Sequence, residues 1–525
     1  MSFDVVVIGG GVNALTAAAY LAKAGRGVAV VCPDDEIGGL CSRHEFYPGY
    51  YSPGILSDTS MFRKWIVDEL DLRGHGLVKS TSSKTVAFGK DQQIVFSEST
   101  DKTTDEIARV SEPDAESYRA MKAFYQKIGG PISQFLNSVP ADIVDPETTD
   151  LWSLFKRGFQ LRRLGKKDML EVLRLAPMTV YDWLDEWFEN NGLKAALALP
   201  AVTEGYSAPW SPGTNANLLI REVTRGPRVQ GDGLALVEAL ESAARSNGVQ
   251  FEPGIVDSIE PGRGVRLEDG DFMEAKTIMA AYGPKKVFLE MIDARLLSHK
   301  FEQRISKFRT RGLTSQLLLA VESYGPGVES SASRSGSRQS DKISPGPGNL
   351  NSGLPEMALI AEDLDGIEKA FDPVKYKEVT RRPCLDVYIP SEIHDDLAPI
   401  GKTVISVLVH YTPYALRGGW TPEAREELSG NVIDVLDEKI PGIKERVIGK
   451  ELLTPGDIEQ RYGLSGGQLY EGEHALDQLL VRPAPECSQY KTPFEGLFLC
   501  SGGSFPGGGL TGAPGALAAK LVMQE

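Results

Sequence analysis

A glycine-rich loop near the N-terminus contains the first residues whose types and spacing could bind a charged ligand. Residues 5–8 are Val-Val-Val-Ile, and residues 9–14 are Gly-Gly-Gly-Val-Asn-Ala, followed by an alanine-rich stretch. The pattern matches G-x-G-x-x-[GA] between a buried strand and a helix, the context in which it binds dinucleotides. In this motif Gly9 permits a tight turn, Gly11 lets the backbone approach a pyrophosphate, and Ala14 lets the helix pack on the strand. The sequence therefore predicts a nucleotide site at this turn, where the helix N-terminus favours phosphate charge.

The position that usually binds the ribose carries an unexpected residue. Residues 28–31, Val-Ala-Val-Val, are predicted to form the second strand of a βαβ unit, and such a strand normally ends in Asp or Glu. Cys32 stands at this position, and Asp34, Asp35 and Glu36 follow Pro33. Two alternatives stay open: a neighbouring carboxylate binds the ribose, or the adenosine half of the nucleotide is held weakly.

A second glycine-rich loop lies near the C-terminus. Residues 501–515 are Ser-Gly-Gly-Ser-Phe-Pro-Gly-Gly-Gly-Leu-Thr-Gly-Ala-Pro-Gly, between a short strand at 496–500 and a helix predicted from Ala516. So many glycines are expected only where the backbone must approach another body closely. Because this loop also leads into a helix N-terminus, it has a second anion-binding geometry.

A hydrolase motif in the same region is not expected to be functional. Residues 463–467, Gly-Leu-Ser-Gly-Gly, satisfy G-x-S-x-G, which needs a preceding strand and then an acid and a histidine in order. The preceding residues 457–462 are too polar for a buried strand, and His474 lies too close to Ser465 to come from a separate loop. A nucleophilic serine is therefore excluded as the basis of the function.

The predicted elements that must position the two glycine loops indicate interleaved domains. Residues 103–200 are mostly helical by periodicity, whereas strands are predicted at 249–259, 265–267, 277–281 and 403–409. The chain therefore returns to a sheet after a helical excursion. We expect a discontinuous nucleotide-binding domain and a second domain, divided as 1–80, 215–290 and 455–525 for the first and 81–214 and 291–454 for the second. Residues 325–353 are rich in Ser, Gly and Pro, which predicts a mobile surface loop.

Composition limits the remaining classes of function. The chain has 525 residues, 56 of them basic and 72 acidic, for a formal net charge of −16. A hydrophobic content of 41% with 24% charged residues is typical of a globular chain and excludes a disordered or fibrous one. The acidic balance, without a long basic run, argues against nucleic acid as a partner.

Cysteine and histidine usage points to a reducing compartment and no metal. The five cysteines are scattered without a C-x-x-C pair, and the six histidines show no H-E-x-x-H pattern. The N-terminus lacks a basic region before an apolar core, and no apolar run approaches the ~18 residues of a spanning helix. We expect a cytoplasmic protein of undetermined oligomeric state, with contact to one membrane leaflet left open.

These motifs carry a family resemblance. Residues 4–43, including the second glycine pair Gly38-Gly39 and Arg43, resemble the N-terminus of the phytoene desaturase-related FAD oxidoreductases, within the flavin amine oxidase superfamily. The C-terminal glycine loop resembles the flavin signature of the same family, and the resemblance covers essentially the whole chain. Four segments are most similar to the branch of pyridine nucleotide-disulfide oxidoreductase domain-containing protein 2, namely 64–77, 411–414, 463–473 and 476–479.

The resemblance implies a fold, a cofactor and a set of site residues. The implied fold is α/β, with a Rossmann-type FAD-binding domain of the two-domain flavin amine oxidase or phytoene desaturase type interleaved with a mixed α+β substrate domain. The implied cofactor is FAD, and the residues expected to bind it are Gly9, Gly11, Asn13, Ala14, Cys32, Gly38, Gly39, Arg43, Val256, Gly502, Gly508, Gly509, Leu510 and Thr511. The candidate catalytic groups facing the flavin ring are Tyr470, Glu473 and Phe505.

Two functions remain open at this point. The first is an FAD-dependent oxidoreductase that takes a hydride from a C–H bond of a largely apolar substrate, with oxygen or a quinone as electron acceptor; redox-neutral polyene isomerisation is a variant. The second is a flavoprotein-fold interaction or scaffold protein with impaired chemistry. This alternative is motivated by Cys32, which replaces the usual acid, and by three further departures. Ser501, Ser504 and Phe505 stand where the family usually has Gly, Thr and His, respectively. Glu471 likewise stands where the family has His.

Overall fold

The structure is a computed structural model that describes residues 2–33, 36–80, 83–142, 162–163, 165–322 and 355–524. The loop predicted at 325–353, Asp34, Asp35 and part of the helical stretch predicted at 103–200 lie outside the described residues. The strands are β1 (Ser2–Ile8), β2 (Val28–Cys32), β3 (His44–Tyr47), β4 (Tyr50–Ser52), β5 (Lys84–Phe88), β6 (Gln93–Ser97), β7 (Gln250–Pro253), β8 (Val256–Glu260), β9 (Gly264–Leu267), β10 (Phe272–Ala280), β11 (Thr314–Val321), β12 (Met357–Ile360), β13 (Leu385–Tyr388), β14 (Thr403–His410), β15 (Val447–Leu453) and β16 (Leu497–Leu499).

The helices fall between these strands, several of them in succession between β6 and β7. They are α1 (Val12–Lys23), α2 (Lys64–Glu69), α3 (Thr100–Ala108), α4 (Glu112–Leu136), α5 (Lys166–Leu175), α6 (Val180–Trp187), α7 (Asn191–Val202), α8 (Thr214–Thr224), α9 (Asp232–Ser246), α10 (Pro284–Lys286), α11 (His299–Lys307), α12 (Leu364–Phe371), α13 (Pro422–Lys439), α14 (Pro455–Tyr462), α15 (Leu476–Leu479) and α16 (Ala513–Val522). Over the described ranges, none combines the length and the apolar character that crossing a bilayer demands.

The first sheet brings both ends of the chain together. Its order is β7-β2-β1-β10-β9-β8, and β16 pairs with β10. β1 lies between β2 and β10, parallel to both. The apolar run at 5–8 is buried on both faces, because Val5 and Val7 pack into one hydrophobic cluster while Val6 and Ile8 pack into another. The observed β1, α1 and β2 confirm the predicted βαβ unit.

A close helix crossing joins the two glycine loops. α1 and α16 pack against each other, and a Cβ on Gly515 would lie 2.1 Å from the backbone oxygen of Asn13. Real Cβ atoms essentially never come within 3.0 Å of such a neighbour, so this position needs glycine. α16 begins at Ala513 rather than at the predicted Ala516, which places Gly515 inside the helix.

The second sheet has the order β15-β11-β14-β13-β12-β5-β6 and is antiparallel except where β12 pairs with β5. All of its strands fall within 81–214 and 291–454, whereas the strands of the first sheet fall within 1–80, 215–290 and 455–525. The division of the chain into two domains at these boundaries stays a prediction.

Candidate functional site

The first glycine loop joins β1 to α1 and leaves the start of the helix open. Gly9 has a φ of +102°, which L-residues with a side chain rarely adopt. Gly11 is the N-cap of α1 and offers no side-chain cap, so N–H groups of the first turn can bind an anion. A Cβ on Gly11 would meet nothing within 4 Å, because this backbone faces a cleft.

The second glycine pair packs directly on the first loop. Gly38 N donates to Gly10 O over 2.8 Å, and Gly11 forms a parallel bridge with Gly38. A Cβ on Gly39 would lie 3.0 Å from the Cα of Gly11. The two loops therefore need their glycines for mutual approach as well as for a ligand.

The cleft at these loops, here named the glycine-loop cleft, encloses about 1180 Å³ outside the protein atoms, its open mouth included. It brings together most of the residues predicted to bind a cofactor: Gly9, Gly11, Asn13, Ala14, Gly38, Gly39, Arg43, Gly502, Gly508, Gly509 and Leu510. Residues from opposite ends of the sequence thus line one space. Val256 does not line it, because its side chain is buried in the hydrophobic cluster that contains Val6.

Cys32 is also absent from the cleft wall. Its thiol is buried against the glycine loop, where a Cβ on Gly10 would lie 2.8 Å from the sulfur. Glu36 lines the glycine-loop cleft instead. Both alternatives for the ribose position stay predictions, and Glu36 is the described neighbour of Cys32 that can test the first of them.

The C-terminal glycine loop packs against Tyr470. A Cβ on Gly508 would lie 2.3 Å from the backbone oxygen of Tyr470, and one on Gly502 would lie 2.7 Å from the Cα of Gly508. Tyr470, Gly508, Gly509 and Leu510 line both the glycine-loop cleft and a second, adjoining one. These residues form the junction between the two spaces.

The second cleft, here named the inner cleft, encloses about 1050 Å³ outside the protein atoms, again including its mouth. Strands of the second sheet and helices α7 and α8 contribute to its wall. Thr511, predicted to bind the cofactor, lies here. The apolar lining residues are Ile55, Leu56, Met61, Pro200, Ile220, Met357, Val387, Leu408, Leu479, Pro506 and Leu510.

A buried network of charged groups crosses the wall of the inner cleft. Arg221 forms ion pairs with Glu204 at 2.6 Å and with Asp58 at 3.4 Å. Nδ1 of His474 lies 2.6 Å from Oε2 of Glu204. Burial alone would raise the pKa of Glu204, but the charges and hydrogen bonds of His474 and Arg221 lower it below its usual value. Glu204 is therefore a carboxylate.

His474 presents one unsatisfied ring nitrogen at this wall. Since the Glu204 carboxylate only accepts hydrogen bonds, Nδ1 of His474 is the donor, and Nε2 is the ring nitrogen that faces away from that pair. Nε2 is buried and has no hydrogen-bond partner among the described residues. The backbone of His474 is fixed on both sides, because its N–H donates to Glu204 O and its C=O accepts from Asn217 Nδ2. Its ring centroid lies 5.5 Å from that of Tyr470, at the junction.

The three predicted ring-facing residues take different places. Tyr470 lies at the junction. Glu473, 2% exposed, forms ion pairs with Arg309 and Arg311, and lines neither cleft. Phe505 is buried with its ring 5.3 Å from that of Phe135, and also lines neither cleft. A catalytic role for Glu473 or Phe505 stays a prediction.

Glu471 lies in the glycine-loop cleft beside the C-terminal loop. Its Oε2 accepts a hydrogen bond from Gly503 N at 3.1 Å. Burial raises its pKa above the usual value, although hydrogen bonds with Ser501 and Gly503 oppose that rise. The family's usual histidine is thus replaced by a buried carboxyl group.

The network around His474 was missed by sequence reasoning. No local motif marks it, because Glu204 and His474 are 270 positions apart. Over the described ranges, no three His, Cys, Asp or Glu side chains are grouped so that they could hold a metal ion.

Comparisons with known proteins show the family and the fold that this chain shares. Residues 4–320 match the family described as FAD dependent oxidoreductase. The chain is 30% identical to pyridine nucleotide-disulfide oxidoreductase domain-containing protein 2 of Rattus norvegicus, over 100% of this chain and 94% of the relative. It is 24% identical to a limonene dehydrogenase polypeptide of Castellaniella defragrans, over 99% and 94%. The structure is similar to that of cyclohexylamine oxidase from Brevibacterium oxydans, with a TM-score of 0.55, 14% identity and 99% coverage of both chains. The predicted fold class and family resemblance are confirmed.

Proposed function

The chain belongs to the FAD-dependent oxidoreductase family, and on that premise we propose that it dehydrogenates a largely apolar substrate, removing a hydride from one carbon and a proton from its neighbour. The wall of the inner cleft supports the apolar body, since many of the side chains that contact this space are aliphatic. Limonene, the compound in the name of one relative, is an apolar hydrocarbon. The single observation that carries the proposal is that Tyr470 and the Gly508–Leu510 backbone line both clefts.

The glycine-loop cleft fits FAD by the chemistry of its wall. The uncapped first turn of α1 suits the pyrophosphate, and the open face of Gly11 leaves room for its approach. Oδ1 of Asn13 is buried at this cleft and accepts no hydrogen bond from the residues that the structure describes, so it can accept one from the cofactor. FAD supplies the hydride-accepting chemistry when bound and passes the electrons on to oxygen or a quinone.

The chain's own residues position the substrate and take the proton. The aliphatic wall of the inner cleft excludes water from the C–H bonds that react. Nε2 of His474 accepts the proton from the second carbon, and the negative charge of Glu204 stabilises the imidazolium that results. Loss of the hydride and the proton leaves a carbon–carbon double bond in the substrate.

Anaerobic reduction of the flavin tests the proposal. The purified holoprotein is mixed without oxygen with a panel of terpenes, polyenes, long-chain alcohols and long-chain carboxylates, and with a matched panel of primary amines. We expect an apolar compound to bleach the flavin absorbance near about 450 nm. Bleaching by amines alone would contradict it, and a protein that never binds added FAD would support the scaffold alternative. A change of double-bond geometry without net reduction would identify the isomerase variant.

Glu36 provides a test of the cofactor end of the site. We expect Glu36→Gln to raise the Kd of FAD about tenfold or more, since hydrogen bonds to a charged group contribute about 1.5–3 kcal/mol. Quenching of flavin fluorescence on titration with protein measures this Kd. Glu268→Gln, at an exposed position away from both clefts, is the matched control and should leave it unchanged. Equal Kd values for Glu36→Gln and the wild type would show that the ribose is bound elsewhere.

A further inference from the structure

Arg63 is a buried cation at the wall of the inner cleft. It precedes α2, and only 4% of its surface is exposed. Nη1 donates to Met61 O at 3.0 Å, whereas Nε is buried and has no hydrogen-bond partner in the described part of the chain. Burial lowers the pKa of Arg63 to about 10, and no neighbouring charge contributes to the shift. The guanidinium therefore carries a charge that no described residue compensates.

The acidic groups of the inner cleft are all engaged elsewhere. Asp58 pairs with Arg221 and Arg228, each at 3.4 Å. Glu204 pairs with Arg221 and His474. Asp386 is the third acidic group, and its Oδ2 lies 3.2 Å from Nε2 of His410. Within the described part of the chain, no carboxylate lies within ion-pair distance of Arg63.

A buried and uncompensated charge is costly, and an anionic ligand removes that cost by pairing with it. The planar guanidinium can donate two parallel hydrogen bonds to a carboxylate or phosphate. The backbone N–H of Arg63 donates to Thr511 O at 3.2 Å, directly after the junction residue Leu510. The backbone of Arg63 is thus fixed beside the segment that separates the inner cleft from the glycine-loop cleft.

We propose that Arg63 binds the anionic oxygen head group of the substrate, so that the substrate is an amphipathic anion with an aliphatic body. The inference rests on the proposed function, because it assigns the inner cleft to the substrate. The aliphatic side chains surround the body, and the guanidinium fixes the head group. One end of the substrate is thereby held, which sets the carbons that reach His474.

The first experiment compares head groups on the wild-type holoprotein with its flavin oxidised. Dodecanoate, dodecyl phosphate and dodecanol are titrated in turn, and perturbation of the flavin spectrum gives each Kd. We expect at least one anion to bind about tenfold or more tightly than the alcohol. The better of the two anions identifies the head group as carboxylate or phosphate. Equal affinities for all three compounds would overturn the proposal.

Variants assign the preference to Arg63. Arg63→Gln should abolish the difference between anion and alcohol while leaving the Kd of dodecanol unchanged. Lys64→Gln removes the same charge one position away at an exposed site, and should keep the full preference. If Arg63→Gln fails to retain FAD, Arg63→Lys serves in its place and should reduce the preference in part, since an ammonium lacks the planar fork. A preference that survives undiminished in the folded variant would also overturn the proposal.

The outcome is independent of the test of the proposed function. These titrations measure binding with no turnover, whereas the anaerobic experiment measures reduction of the flavin. Failure of the anion preference with intact reduction would remove the head-group site alone. Failure of reduction with an intact preference would remove the proposed reaction and leave Arg63 as an anion-binding residue.

Discussion

Replacing His474 with glutamine is expected to lower the rate constant of flavin reduction by about 10²–10⁴-fold, the usual contribution of a positioned proton acceptor. The glutamine amide retains a hydrogen bond to Glu204 but has no basic nitrogen at the position of Nε2. Stopped-flow absorbance, with a compound that reduces the wild-type flavin, measures the effect directly. Because Nε2 has no partner over the described ranges, its removal breaks none of the hydrogen bonds seen there.

Two further variants separate catalysis from structure. Glu204→Gln should also slow the reduction, because the amide no longer fixes the ring with Nδ1 as the donor. His299→Gln, at the exposed start of α11, is the matched control and should leave the rate unchanged. The Kd of dodecanol should be the same in the His474 variant and the wild type. A wild-type rate in His474→Gln would remove the proton-accepting role.

The two glycine loops could be predicted from sequence because their backbone requirements are local. A tight turn at Gly9 and an uncapped helix start at Gly11 demand particular residues at fixed spacing, and the structure has both. The Cys32 interpretation depended on counting to the end of a strand. Counting gives the position of the residue but not the direction of its side chain, which lies under Gly10 rather than in the cleft.

The remaining features of the site depend on tertiary contacts. The importance of His474 arises from Glu204, which is distant in sequence. The importance of Arg63 arises because no carboxylate lies nearby in the described structure, and a sequence pattern cannot show which charged groups are distant in space. Gly515 is a third case. The glycine-rich pattern predicts that the backbone there approaches another group closely, but only the fold identifies that group as the backbone of α1.

The second large effect is expected at this helix crossing. Gly515→Ala should lower the free energy of unfolding by about 3 kcal/mol, because the added Cβ would lie 2.1 Å from the backbone oxygen of Asn13. Neither helix backbone can rotate out of the way as a side chain could, so α1 and α16 must separate. We expect the Tm to fall by about 3 °C and FAD to be lost on gel filtration, with both changes read from the same preparation by thermal unfolding and visible absorbance.

Gly430→Ala provides the comparison that makes this effect interpretable. Gly430 lies inside α13, and a Cβ there would meet nothing within 4 Å. The same substitution should therefore leave the Tm unchanged or raise it, since alanine favours a helix over glycine by about 1 kcal/mol. The two variants differ only in what the new methyl group meets.

Retention of FAD and a wild-type Tm in Gly515→Ala would show that the helices can separate without cost. Loss of FAD in Gly515→Ala alone would instead establish that the distance between α1 and α16 sets the alignment of the two glycine loops, because each loop leads directly into one of these helices.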